Sequence, residues 1–348
     1  MNPDTPLSPR PLHHLSDVRH RVLTTRQLRE RGVPGATVAE RCRPGGPWQQ
    51  LLPGVFLLRP GPPTSEERLH AGLLYTLPRT RPAADHLRPG DADAAAEAAP
   101  YGEAMITGLA ALALHSFTSA PPLLSLDHID VLVPRTRRLR STGFVRVVRA
   151  HTLPRPIRLT GVPVAPPARA VADAVGRLAE PTTVHRLLTE AVRGGHCEAG
   201  AVVRELTRAR LLNRPAVVDA VDTLLAESRA IAESRLYDLV RGHGLPEPLW
   251  NVDLRLPGGP RLGGVDAYWP EYGVALEIDA RTPRQDDDAL WAEQAGKRER
   301  LERLGILVVH ITPKKLRETP EQQAAVARTA LMASADREPA AYVVVLPK

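Results

Sequence analysis

The chain has 348 residues, 43% of them hydrophobic, which is length for two or three domains and enough apolar material for their cores. Its 46 Lys and Arg against 39 Asp and Glu leave a net charge of +7, a balance that favours a polyanionic partner such as nucleic acid. Two distant cysteines, Cys42 and Cys197, exclude a disulfide framework or a structural zinc site. No apolar run reaches the roughly 20 residues needed to span a bilayer, and no secretory leader is evident, so the expectation is a cytoplasmic protein without a membrane partner.

Residues 1–16 are polar and proline-rich, the composition of a loose tail. In residues 17–78, Thr24 or Thr25 can cap a short helix that carries Leu28. The run Gly32-Val33-Pro34-Gly35 ends that helix, and a second short helix is predicted over residues 36–42. Residues 48–51 and 55–58 flank Pro53-Gly54 as a β-hairpin. Helix, turn, helix, hairpin is the order of a winged helix-turn-helix. Residues 79–100 have little apolar content and no period, as expected of a flexible insertion.

The middle region, residues 101–217, reads as mixed α/β. A helix is expected over 104–115 and a strand in HIDVLVP. The basic turn from Arg135 to Arg140 comes next, then a strand GFVRVVRAH with its arginines on one face. Residues 167–228 have helical, amphipathic spacing. His115, in the apolar stretch LALHSF, reads as a packed side chain rather than a catalytic one. The turn of arginines is a solvated loop or a second phosphate-binding edge.

From residue 218 to 348 the pattern becomes α-β-β-β-α-β. A helix over 218–241 precedes the strands LWNVDLRL, GGVDAYW and VALEID. A polar helix over 288–304, the buried strand ILVVHI, a helix over 321–333 and a last strand AYVVVL complete it. The fold class expected is therefore α+β and multi-domain.

Three features of this last region carry chemistry. In VALEID, period two sets Glu277 and Asp279 on the face opposite Val274, Leu276 and Ile278. Asp266 stands in the preceding strand, and Glu233 lies at the edge of the core stripe of the helix before it. Carboxylates on mostly apolar strands are costly unless they hold something, and Mg²⁺ is held by one or two of them plus water and phosphate. The alternative is that they are solvated or paired with Arg235, Arg261 or Lys297.

Residues 228–316, through ESRLYDLVRGHGLPEPLWNVDL, GGVDAYWPEYGVALEIDAR and KRERLERLGILVVHIT, resemble the PD-(D/E)XK nucleases, in particular domains related to very-short-patch-repair endonucleases. The resemblance implies that Glu233 is the helix acid, that Asp266 and Glu277 bind Mg²⁺ or Mn²⁺, and that Asp279 stands where the usual E-x-K has lysine. Lys297, with Gln294 on the following helix, is then the candidate for a displaced catalytic cation. The Asp-Gly and nearby His of many relatives are replaced by Asp279-Ala280-Arg281-Thr282-Pro283, and no His follows until His310.

The N-terminal segment, with its Leu52-Pro53-Gly54-Val55-Phe56 strand, resembles the winged helix of AbiEi-type antitoxins. The stretches ITGLAALALHSF, HIDVLVPRTRRL and GVPVAPPARAVADAV extend that likeness through the middle region. In such a fold Thr37, Glu40, Arg41 and Arg43 face DNA, and Arg26 and Arg29 reach phosphates. The resemblance implies toxin–antitoxin or defence biology, with DNA, a toxin protein and a second copy of the chain as partners. Three readings stay open: a metal-dependent DNA endonuclease, a non-enzymatic DNA-binding regulator with a degenerate nuclease domain, and a scaffold for a toxin.

Overall fold

The computed structural model describes residues 15–77, 101–279, 288–335 and 343–347. Apart from Leu15 and Ser16, the tail and the 79–100 insertion expected from composition lie outside these residues. The chain forms two compact units, residues 1–191 and 192–348, and is mixed α+β. The second unit starts well before residue 218, because helices upstream of that point pack with it. Among the described residues no helix is long and apolar enough to cross a membrane.

The first unit opens with α1 (Leu15–Arg21), β1 (Val22–Thr24), α2 (Thr25–Glu30), α3 (Gly35–Arg41), β2 (Gln49–Leu52) and β3 (Val55–Leu57). Thr24 begins α2 through a capping box: its side chain accepts from the Gln27 N–H, and the Gln27 side chain returns to the Thr24 N–H. The strands form a small sheet ordered β1-β3-β2. Leu23, Leu28, Val38 and Phe56 are its core, with Trp48 packed against them. The hairpin joining β2 and β3 turns at Pro53-Gly54, as the sequence predicts.

Helix α4 (Ser65–Tyr75) follows, started by a second capping box of Thr64 and Glu67. It packs on β1, β3 and the next sheet. That sheet has the order β6-β5-β4-β8-β7, from β4 (Met105–Thr107), β5 (Ile129–Pro134), β6 (Val145–Ala150), β7 (Ile157–Leu159) and β8 (Val162–Val164). The helix expected over 104–115 is a strand first and α5 (Gly108–Leu114) second. Met105 and Ile106 are buried between neighbours on both sides, so the apolar run is claimed by β5 and β8. Arg146 and Arg149 are three residues apart in a regular ladder, so they lie on opposite faces of β6 rather than on one. Helices α6 (Pro167–Val175) and α7 (Pro181–Arg193) follow.

The second unit contains α8 (Ala199–Arg208) and the long α9 (Pro215–Gly242). A sheet ordered β12-β11-β10-β9-β13 follows, from β9 (Leu249–Arg255), β10 (Arg261–Trp269), β11 (Val274–Ile278), β12 (Leu307–Ile311) and β13 (Val344–Pro347). Strands β9, β10 and β11 are an antiparallel meander, and β12 returns parallel to β11 by way of α10 (Asp288–Arg303). Helices α11 (Pro313–Glu318) and α12 (Pro320–Ala335) precede β13. One sheet face packs Ala267, Trp269, Val274, Leu276 and Ile278 against Leu236 and Val240 of α9 and Ala327 of α12. The other packs Tyr268, Ala275 and Val308 against Leu301 of α10. A sheet covered on both faces leaves its strand ends as the place where polar side chains can meet.

Candidate functional site

Two of the carboxylates singled out in the sequence, Asp266 and Glu277, stand on the adjacent strands β10 and β11. The β10–β11 ladder pairs Trp269 with Val274 and Ala267 with Leu276. One more step of the register sets Asp266 opposite Glu277. At that step the backbone ladder gives way to a side chain: the Ile278 N–H donates to Asp266 Oδ2 at 2.6 Å. Asp266 is buried, so its second oxygen also needs a partner. Arg229 of α9 provides it, with Nη2 2.6 Å from Oδ1. The same guanidinium donates from Nε to Glu233 Oε1 at 2.8 Å, one helical turn on.

Glu277 is held differently. Alternation along β11 points it with Ala275 toward α10, and Lys297 Nζ reaches its Oε1 at 2.5 Å. Lys297 Nζ also donates to the Gly264 carbonyl at 2.5 Å. Both side chains of this pair are largely withdrawn from water. The parallel register of β11 with β12 sets His310 beside Glu277, with Nδ1 3.9 Å from Oε2. Asp279 lies just past β11 and is exposed, its N–H donating to the Ile311 carbonyl at 2.9 Å.

A glycine makes the lysine contact fit. Gly263 has φ +131°, a conformation that disfavours any L side chain, and it sits at an irregularity in the β9–β10 register. A Cβ there would stand 2.7 Å from Cε and 2.9 Å from Cδ of Lys297. The lysine stem therefore crosses the strand over the bare backbone of Gly263. Gly263→Ala is expected to destabilise the second unit by about 1–3 kcal/mol through backbone strain. It also displaces the Lys297 ammonium from Glu277. Urea unfolding measures the first effect, and loss of the Glu277-dependent shift in the Lys297 ammonium NMR signal reports the second; a variant with wild-type behaviour in both would show that the close approach is unimportant.

The sequence expectations fall out unevenly. Asp266, Glu277 and Lys297 come to one region, and Glu233 is tied to Asp266 through Arg229. Asp279 is close in sequence and lies exposed just past β11. Gln294 and residues 280–283 have side chains outside the described ones. Arg229, Gly263 and the Gly264 carbonyl went unnoticed in the sequence, where His310 stands only as the first His after Asp279. Of the expected pairings, Lys297 with Glu277 is present, Arg261 instead holds Asp253, and the Asp266 partner is Arg229 rather than Arg235.

Among the described residues no three His, Cys, Asp or Glu side chains are gathered so as to hold a metal ion. Two carboxylates suffice for Mg²⁺ when water and phosphate complete the shell. Asp266 and Glu277 supply such hard oxygen donors, and among the described residues the ion-pair partner of Glu277 Oε2 is His310, at 3.9 Å. The Arg229 side chain is 43% exposed, so it can swing from Asp266 into water without leaving a buried charge of its own. Asp266 and Glu277 are therefore the residues that could hold a small hard cation, and Arg229 is the group now on Asp266 Oδ1.

In the first unit, α2 and α3 present the expected basic residues outward. Arg29, Arg41 and Arg43 are exposed, and Thr37 is half-buried. Arg41 ends α3 and stacks over the Trp48 ring, 4.6 Å from its centroid, which fixes the start of the hairpin against the helix. Arg26 is exposed but paired with Glu30 on the next turn, at 2.7 Å. Its charge is partly spent locally, so Arg29, Arg41 and Arg43 are the freer cations of the set.

No family model matches this chain, and no curated protein matches it.

Proposed function

We propose that this chain is a DNA-binding protein whose second unit carries a metal-dependent endonuclease-like centre. The observation that carries the reading is Lys297 on Glu277, with Asp266 one register step beyond the Ala267–Leu276 pair. A lysine beside the second carboxylate is what the E-x-K arrangement supplies, and here it arrives from α10 while Asp279 occupies the strand position. The α-β-β-β-α-β order, with both sheet faces covered, supports a restriction-endonuclease-like core. In the first unit the order helix, strand, helix, helix, hairpin with sheet order β1-β3-β2 supports a winged helix-turn-helix, with α3 as the groove-reading helix.

Asp266 and Glu277 would hold Mg²⁺ or Mn²⁺, which when bound lowers the pKa of a water and neutralises charge on a scissile phosphate. Lys297 orients Glu277 and keeps a positive charge beside it. The Ile278 N–H fixes one Asp266 oxygen, and Arg229 positions Glu233. The setting this implies is cytoplasmic, in defence or toxin–antitoxin biology, with a toxin protein or a second copy of the chain as further partners.

A second reading is favoured by one contact. Arg229 bridges Asp266 and Glu233 and occupies the oxygen a metal would take, as in a degenerate centre retained for stability in a non-enzymatic DNA-binding regulator. Calorimetric titration with Mg²⁺ or Mn²⁺, on the wild type and on Glu277→Ala, separates the two. Binding that disappears in Glu277→Ala is the expected result. No binding, with and without duplex DNA, would sink the metal centre and leave the regulator.

A further inference from the structure

We propose that the arginine-rich connection between β5 and β6, rather than the β2–β3 hairpin, grips the DNA backbone beside α3; this rests on the DNA-binding reading above. The hairpin is poorly equipped for that task. Residues 49–57 contain no Lys or Arg, and contact with phosphate draws its free energy from cations that release counterions. Its turn is also folded inward: the Gly54 carbonyl accepts from the Thr25 N–H at 2.9 Å and from its hydroxyl at 3.4 Å. Such a turn cannot reach outward as a wing.

The β5–β6 connection has what the hairpin lacks, and it lies against the hairpin. A Cβ built on Gly143 would be 3.4 Å from Leu52 Cδ2 and 3.9 Å from the Leu51 carbonyl. The connection carries Arg135, Arg137, Arg138 and Arg140. Some of its polar groups are spent on holding its shape. Arg149 donates to the carbonyls of Arg137 and Leu139. Arg137 donates to the Thr76 carbonyl, and the Tyr75 hydroxyl donates to the Arg140 carbonyl at 2.8 Å. Ser141 Oγ accepts from the Val147 N–H at 3.0 Å.

What remains is an anchored backbone with two exposed guanidinium groups, those of Arg138 and Arg140. Among the described residues neither side chain has a hydrogen-bond or ion-pair partner. A turn fixed at four points loses little conformational entropy when its free cations meet phosphate, which is the economy of a preorganised contact. Two free guanidiniums on a loop that packs on the β2–β3 hairpin would meet the backbone next to the groove that α3 would enter. The contact they make is with phosphate, so it contributes affinity and register but not base preference.

The test uses the full chain and fluorescence anisotropy with a random-sequence DNA duplex and a second, unrelated duplex, across a range of salt. The proteins are the wild type, Arg138→Gln/Arg140→Gln, Arg138→Lys/Arg140→Lys and, as a control in the second unit, Lys314→Gln. Each lost phosphate contact removes about 0.9 from the slope of log K against log salt, so the Gln pair is expected to lower it by about two, equally on both duplexes. The Lys pair, which keeps the charge, is expected to retain the slope, and Lys314→Gln to change nothing. A Gln pair with wild-type slope, while the wild type binds duplex, would overturn this inference and leave the DNA-binding reading standing. Failure of the wild type to bind either duplex would overturn both, and a loss seen only with poly-glutamate as probe would replace DNA by an acidic protein partner.

Discussion

Lys297→Ala is expected to lower metal-dependent cleavage of duplex DNA by about 10²–10⁴-fold, the usual contribution of a positioned group to proton transfer or charge stabilisation. Binding of the same duplex should be unchanged, because Lys297 lies outside the basic face of α2 and α3. The size follows from what Lys297 does twice over. It holds Glu277 at 2.5 Å and ties itself to the Gly264 carbonyl, so one residue fixes the acid and places a cation beside it. Its removal leaves a largely buried carboxylate without its partner, a cost of about 1–3 kcal/mol. Unfolding measured in parallel keeps a stability loss apart from a catalytic one. Lys297→Met retains the stem over Gly263 and removes only the charge, so it should lose cleavage with less loss of stability. Full cleavage by Lys297→Met would reduce the lysine to a structural ion pair, and a wild type that never cleaves, in Mg²⁺ or Mn²⁺, would favour the regulator held together by Arg229.

Local pattern made much of this arrangement legible. Period two placed Glu277 with Ala275 on the side of β11 away from Leu276, and the structure keeps it there, facing α10. The Pro53-Gly54 turn and the Thr24 cap are decided by neighbours a few residues away, so they too could be read directly. What escaped depends on distant pairing. His310 follows Glu277 by many residues, so spacing in the sequence does not link the two. Yet it belongs to a strand returning parallel to β11, and that register alone brings the two together. Arg229 and Arg235 sit on the same helix and look equivalent in sequence. Only the rotation of α9 against β10 decides that the first meets Asp266 while the second does not. Met105–Thr107 has spacing that suits a helix, and the partners β5 and β8 overrule it. Gly263 resembles any other strand glycine until the lysine stem is seen crossing it.

Acid should weaken the first unit through one histidine. His70 of α4 is buried, with Nδ1 2.8 Å from the Tyr101 hydroxyl and the two rings edge to face. Burial holds its pKa down at about 4, the positive charge of Arg19 adds to that effect, and the hydrogen bond to the Val22 backbone opposes it. In the unfolded chain the ring titrates near its ordinary value, about 6.5. Above that pH both states are neutral and His70 costs nothing. As the pH falls below it the unfolded chain takes up a proton that the folded chain refuses, so stability declines until the folded ring titrates near pH 4. The difference between the two values corresponds to about 3 kcal/mol lost over that window, a large share of the 5–15 kcal/mol typical of a domain. Urea midpoints for the wild type and His70→Phe, taken from pH 7 to pH 4, isolate the effect, since the remaining histidines are common to both proteins. His70→Phe should be less stable at pH 7, having lost its bonds to Tyr101 and Val22. It should then lose less stability on acidification, so the two curves converge toward pH 4. Parallel curves would mean that the ring is protonated in the folded protein at no cost, and that water reaches the space between α4 and Tyr101.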